Sequence, residues 1–369
     1  MQYSRVYIDA IGYELAPVVV STAELEARLA PLYERLRVAP GQVEAITGIR
    51  ERRWWEAGYR LTDGAVAAAR KAIAAVDIRP DQIDVLIYAG VCREQFEPAT
   101  ACHVAAALGV APGAFVYDVS NACLGMLIGI VDVANRIELG QCKAGLVVAC
   151  ETAREINEVM IEKMLHEPDM ETFKSALATL TGGSGAAAVL VTDGSFAAAR
   201  QRRLLGGATQ TDPQHFGLCR WGLESLDAVV RKVVQADTTQ RILSGGYGLK
   251  RAVIPFTSTD AASVLKFGVD LGLRTWDSFR TRLDWAADHV DKVICHQVGA
   301  GHRDAILRTL NIDPAKDFST FPYLGNMGTV SLPLTAALAE EREFLLPGHR
   351  VGFLGIGSGL NCLMLGVQY

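Results

Sequence analysis

The stretch Asp118-Val-Ser-Asn-Ala-Cys-Leu-Gly-Met-Leu-Ile-Gly-Ile130 decides how the chain is read. A buried strand ends at Asp118, small and polar residues make a turn, and an apolar helix opens almost at Cys123. A thiol in that place faces the unpaired N–H groups and the positive end of the helix dipole, which favour the thiolate. Cys123 is therefore a candidate nucleophile, with a small apolar residue packed at a junction as the alternative.

Working outward, short continuous apolar runs of the kind that sit inside a sheet recur at 84–91, 144–150, 185–194, 291–299 and 349–359. Helical stretches lie between most of them, which predicts α/β layering. Nearer the N-terminus, Ser21-x-x-Glu24 forms a capping box ahead of Leu25, Leu29, Leu32 and Leu36, with a kink expected at Pro31. The element order repeats. Ala89 and His296 are 207 residues apart, Cys123 and Asn326 203, and Val147 and Gly352 205, so three element types share a near-constant offset. That spacing predicts an internal duplication, with halves at 1–195 and 196–369. Two segments fall outside the register, about 151–180 and 196–283. Both read as insertions that shape a pocket or a subunit interface, with Met160, Met164 and Met170 open to being ordinary core.

Composition excludes several classes. Lys and Arg number 36 against 41 Asp and Glu, a net charge of −5, so no basic excess draws in a phosphate backbone and nucleic acid is not an expected partner. Half the residues are hydrophobic and 21% are charged, which suits a compact protein. No apolar run reaches the ~18 residues of a membrane span, and the opening MQYSRVYIDAIGY lacks the shape of a signal peptide, so a cytoplasmic location is expected. The eight cysteines lie mostly inside apolar stretches and read as reduced thiols. Neither they nor the histidines have the spacing of a metal site, and no phosphate- or dinucleotide-binding glycine motif is present.

His296, at the end of a buried strand, can project into a crevice. Asn326, in Leu-Gly-Asn-Met-Gly, holds the place that the duplication sets opposite Cys123. Pseudo-symmetry therefore predicts that Cys123, His296 and Asn326 converge. Together they suit acyl chemistry, with a thiolate to take the acyl group and a neutral imidazole and an amide to donate to a thioester oxygen. Gly357, Ser358 and Gly359, in Gly355-Ile-Gly-Ser-Gly359, offer backbone N–H groups for a second oxyanion.

Taken together, Thr-Gly-Ile-Arg-Glu-Arg (47–52), Asp-Val-Ser-Asn-Ala-Cys (118–123), His-Gln (296–297), Gly-Asn (325–326) and Gly-Ile-Gly-Ser-Gly-Leu-Asn-Cys (355–362) resemble the ketoacyl synthase III-like branch of the thiolase-fold condensing enzymes. Within that branch, Arg-Glu-Gln-Phe-Glu-Pro-Ala-Thr (93–100) and His302 after His-Gln-Val are most similar to the thiolases of bacterial long-chain olefin biosynthesis, which join two acyl-CoA molecules into a 2-alkyl-3-keto acid. The resemblance implies a duplicated five-layer αβαβα fold, a homodimer, acyl-CoA or acyl-carrier protein as substrate without a further cofactor, and catalysis by Cys123, His296 and Asn326. It adds Arg50 as a substrate-binding candidate. It also implies that Glu97 is a base, because a condensation of two plain acyl thioesters must remove a proton from a weak carbon acid. A ketoacyl synthase III that decarboxylates a malonyl donor is the alternative enzyme, and a non-catalytic carrier-binding protein the alternative outside enzymes. No tryptophan stands just upstream of Thr47, where many of these enzymes stack adenine; Trp54 and Trp55 lie downstream.

Overall fold

A computed structural model of the chain describes residues 1–196, 202–225 and 253–369. In chain order its main elements begin with β1 (Tyr7–Leu15), β2 (Val18–Ser21), α1 (Thr22–Arg28), α2 (Ala30–Leu36), α3 (Gln42–Thr47), β3 (Glu51–Trp54), α4 (Leu61–Val76) and β4 (Val85–Tyr88). Then come α5 (Thr100–Leu108), β5 (Phe115–Asp118), α6 (Gly125–Glu138), β6 (Ala144–Glu151), α7 (Arg154–His166), α8 (Met170–Ala176) and β7 (Gly185–Thr192). The second half supplies β8 (Arg202–Thr211), β9 (Cys219–Ser225), β10 (Val253–Thr259), α9 (Ala261–Leu283), β11 (Lys292–Cys295), α10 (Ala300–Thr309), α11 (Phe321–Leu324), α12 (Ser331–Glu341), β12 (Arg350–Gly357) and β13 (Asn361–Gln368).

The large sheet runs β11-β12-β13-β8-β1-β7-β6-β4-β5. Its middle is thin, since β1 and β8 pair only at Tyr7 with Arg203 and Ile8 with Arg202. On either side the pattern repeats: β4 is parallel to β6, which is antiparallel to β7, while β11 is parallel to β12, which is antiparallel to β13. Where the first half adds β5 beside β4, the second makes a single parallel bridge between Val293 and Asp317. The continuous apolar runs have the cause expected of them: every residue of β6 and of β7 is buried, with neither face open to water.

Three hydrophobic clusters set the layers. One joins α4 and α5 to the outer face of the first half-sheet through Ala68, Ala69, Val104, Leu86 and Leu190. A central one packs α6 and α12 between the two half-sheets, with Ile130, Val133, Leu334, Val147 and Phe353. A third packs α9 and α10 on the far face through Leu271, Phe279, Leu307 and Met364. Helix, sheet, helix, sheet and helix make the five layers of the thiolase fold.

Two expectations change. The single helix read from Ser21 breaks at Leu29 into α1 and α2; Ser21 and Glu24 do form the capping box, and Pro31 sits in the first turn of α2, where its missing N–H costs nothing. The stretch 196–283 is not one insertion, because β8 lies in the large sheet and α9 is an outer-layer helix; the described part that leaves the repeat includes the β9–β10 ribbon. In the other segment, Met160 and Met164 are core between α7 and α1–α2, whereas Met170 is exposed, and Ile156 and Leu177 face the cavity described next. Among the described residues no helix is long and apolar enough to cross a membrane.

Candidate active site

Cys123 lies in a tight turn, Ala122–Leu124, that runs straight into α6. Ala122 adopts φ 45°, a left-handed conformation that costs a non-glycine residue roughly 1–2 kcal/mol, and the turn is closed by the Leu124 N–H donating to the Asn121 carbonyl at 2.9 Å. Gly125 is needed here, because a Cβ would collide with the Ala89 carbonyl at the end of β4. The turn is thus pressed against the sheet, with Cys123 in front of the first N–H groups of α6.

Opposite it, Asn326 follows α11. Its N–H donates to the Thr181 carbonyl and its carbonyl accepts the Gly183 N–H, both at 2.9 Å, so the backbone is clamped by the end of the 151–180 segment. Its Oδ1 accepts the Gly328 N–H at 3.0 Å, which leaves Nδ2 to donate to a ligand. The pseudo-symmetry is physical: the Thr329 hydroxyl accepts the Met126 N–H at 2.7 Å, joining the two junctions directly.

His296 directly follows β11, its N–H bonded to the Leu354 carbonyl at 2.9 Å, and its Nδ1 has no partner among the described residues. The adjoining Gln297 is buried and accepts the N–H groups of Thr320 and Phe321 at 2.8 and 3.1 Å, anchoring the start of α11 to the strand that carries His296. That explains the His-Gln pair: one residue faces the site and the other fixes the element that delivers Asn326.

Cys123, His296 and Asn326 line one cavity of about 1030 Å3, joined by Gly357 and Ser358. A Cβ on Gly357 would lie 3.4 Å from the Cys123 backbone nitrogen and 3.2 Å from Leu124 Cγ, so the end of β12 packs directly on the turn that carries Cys123. Asn361 fastens that loop to the turn, its Nδ2 donating to Asn121 Oδ1 at 3.0 Å and the Ser358 carbonyl at 3.3 Å. Ile156, Leu177, Trp221, Phe256, Leu265 and Val269 supply apolar wall.

Burial dominates the electrostatics. It pushes the Cys123 thiol up to about 12, helped by Cys219 and Glu151, so the resting side chain is a thiol. The sequence reading weighed only the helix end, which favours the thiolate but does not overcome desolvation. Burial also holds His296 at about 4, with His302 adding to the effect, so its imidazole is neutral at pH 7 as the chemistry requires.

Other candidates stand elsewhere. Gly359 is not on the cavity wall. Glu97 is exposed, beside Phe96 at 89% exposure, and its own chain does not bring it to the cavity. Arg50 is exposed and, among the described residues, bonds through its backbone to Thr22 and Pro322. Trp54 and Trp55 are both buried, and Trp55 is stacked on Tyr59, so neither offers a free face to adenine. Sequence reading missed Glu151 and gave His302, a mark of the resemblance, no role; both are on the cavity wall. The one available signal for Glu151 was a carboxylate closing the apolar run AGLVVAC. Among the described residues no group of three or more His, Cys, Asp or Glu could hold a metal ion.

Residues 281–369 match the C-terminal family of 3-oxoacyl-[acyl-carrier-protein] synthase III. The whole chain is 53% identical to an acyl-CoA:acyl-CoA alkyltransferase of Shewanella oneidensis, covering 100% of both. It is 26% identical to a beta-ketoacyl-[acyl-carrier-protein] synthase III of Rhodospirillum rubrum, over 90% of this chain and 91% of that one. Crystal structures of Xanthomonas campestris OleA, 32% identical, superpose with a TM-score of 0.88 over 100% of this chain and 98% of theirs, and include cysteine and glutamate variants. Another cysteine variant of that protein, at TM-score 0.86, holds lauric acid and lauroyl-CoA. With full-length identity and the same fold, this chain belongs to the acyl-CoA:acyl-CoA alkyltransferase family of thiolase-fold, ketoacyl synthase III-type acyltransferases.

Proposed function

We propose that the chain joins two acyl-CoA molecules head to head in a Claisen condensation that passes through an acyl group on Cys123. The observation that carries this reading is the meeting of Cys123, His296 and Asn326 in one cavity of about 1030 Å3, at the top of the ~300–1,000 Å3 range of small-molecule sites and lined for apolar chains. In the first half-reaction the Cys123 sulfur bonds to the thioester carbonyl carbon, the carbon–sulfur bond to CoA breaks, and the CoA sulfur takes the proton. In the second, the α-proton of another acyl-CoA is removed while His296 and Asn326 donate to its thioester oxygen, where enolate charge develops. The new carbon–carbon bond forms at the acyl carbonyl, the bond to Cys123 breaks, and the proton taken by the base passes to the departing sulfur, restoring the thiol. Water then cleaves the remaining thioester, releasing CoA and a 2-alkyl-3-keto acid. CoA thioesters bring all the chemistry, so the scheme calls on no cofactor.

Glu97 is the base, acting from a second copy. It cannot serve its own cavity, since it stands exposed outside it. It is 26 residues before Cys123, the same separation as the glutamate and cysteine varied in the Xanthomonas protein. Among the described residues β5 is an edge strand, and Phe96, next to Glu97, is 89% exposed. An open strand edge together with an exposed aromatic beside the base supports pairing with a second chain, so the enzyme is a homodimer in which Glu97 of the partner subunit enters the cavity. The halves are placed at 1–195 and 196–369, and the enzyme in the cytoplasm. Intact-protein mass spectrometry after incubation with acyl-CoAs tests the reading: one acyl group should be added and Cys123→Ala should abolish it. Acylation that survives the substitution would reject Cys123 as the nucleophile.

A further inference from the structure

Glu151 closes β6, a strand otherwise without a polar side chain, and is only 3% exposed. A carboxylate in such a place is costly unless its oxygens are satisfied. Here Oε1 accepts the Val91 N–H at 2.9 Å and Oε2 accepts the Cys92 N–H at 3.0 Å, while the Thr329 backbone favours the charged form from the other side. Gly328 leaves room for it, since a Cβ there would lie 3.3 Å from the carboxylate. Two elements of the site therefore meet on one side chain, and a third is one hydrogen bond away. Val91 and Cys92 begin the loop that leads to Glu97. Gly328 and Thr329 follow Asn326. Thr329 also accepts the Met126 N–H through its hydroxyl, which carries the connection into the first turn of α6, behind Cys123.

We propose that Glu151 is a positioning residue for the condensation, its carboxylate holding the Glu97 loop, the Asn326 turn and the helix start behind Cys123 in one fixed frame. No apolar residue could do this, because the buried N–H groups of Val91 and Cys92 both point at this side chain and each needs an acceptor. The arrangement has a cost that is also its signature: burial raises the Glu151 carboxyl above its ordinary value, the bonds from the Val91–Cys92 loop work against that rise, and its negative charge disfavours the thiolate of Cys123 across the cavity both residues line. The other titratable or charged groups on the cavity wall are Cys219, Arg220, Cys295, His296, His302, Arg303 and Cys362. Behind the wall, buried Cys92, Cys150 and Tyr88 also face Glu151, and burial together with its charge holds each of them in the protonated form, so only alkylation resolved at Cys123 reads the effect on the nucleophile. The inference rests on Cys123 being the acyl acceptor.

Glu151→Gln keeps the shape but turns a donor toward backbone donors and removes the charge. Condensation should fall at least tenfold, while site-resolved alkylation of Cys123 by iodoacetamide between pH 7 and 9 becomes about threefold faster or more. A purely structural role would slow both together. Condensation within threefold of wild type, or thiol reactivity that is unchanged or falls with it, overturns the proposal. If Glu151→Gln does not fold, Glu151→Asp keeps the charge but draws it back from the Val91 and Cys92 N–H groups: condensation should fall at least tenfold with Cys123 alkylation within twofold of wild type, and condensation within threefold, or both falling together, refutes the proposal. Failure of wild-type Cys123 to be acylated at all would instead sink the proposed function, so the two failures are distinct.

Discussion

Mixing two inactive variants tests whether Glu97 works in trans. Cys123→Ala removes the acyl acceptor, and Glu97→Gln removes the base, whose loss costs about 10²–10⁴ in rate. Each homodimer should therefore run at or below ~1% of wild type. In a heterodimer, the cavity that keeps Cys123 belongs to the Glu97→Gln chain and faces the intact Glu97 of the Cys123→Ala chain. The other cavity has lost its thiol. One of two sites is complete, so heterodimers purified through two different tags should show about half the wild-type rate per dimer. A random equal mixture, about half heterodimer, should show about a quarter. The expectation comes from the structure, in which Glu97 is exposed and absent from the wall of its own cavity. The assay is mass-spectrometric detection of the 2-alkyl-3-keto acid from a single acyl-CoA. Purified heterodimers no more active than the parents would refute the trans arrangement.

Two further predictions concern the donors. His296→Ala or Asn326→Ala should each lower the condensation rate by about 10²–10³, and the double variant should lose less than the product, because both donate to one oxygen; single losses of only a few-fold would reject the assignment. Protonation of His296 should cost stability: folded it titrates at about 4 rather than at 6.5. Between those values the unfolded chain binds more protons, so stability falls as pH drops from about 6.5 to 4, by at most about 3 kcal/mol. Urea unfolding across that range should show a shallower loss for His296→Asn, and equal slopes would contradict the buried neutral imidazole.

The reach and the failures of sequence reading have physical causes. Cys123 and Asn326 were legible because both stand at strand-to-helix junctions, where a turn of small residues interrupts apolar runs, and because one offset relates them. β8 and α9 were hidden. Arg202–Thr211 carries Gly206 and Gly207 in place of side chains that would show alternation, and α9 has Gly268 and Gly272 inside a helix. Glu151 left little trace because its partners are backbone N–H groups, which have no residue signature. The state of the Cys123 thiol was misjudged because a helix end can be read along the chain but depth of burial cannot, and burial prevails. Glu97 was recognisable as a carboxylate in a matching motif, yet its distance from its own cavity is a property of the folded chain.

The central claim is that carbon–carbon bond formation draws on two plain acyl thioesters, with Glu97 as base. It is tested most directly by supplying one acyl-CoA without any malonyl donor to wild type and to Glu97→Gln, and following acyl-Cys123 and product together. Wild type should form the 2-alkyl-3-keto acid, while Glu97→Gln should accumulate acylated Cys123 and form little or none, because only the α-proton abstraction is lost. Product that appears only when malonyl-CoA or malonyl-ACP is added, and that is insensitive to Glu97→Gln, would contradict the account.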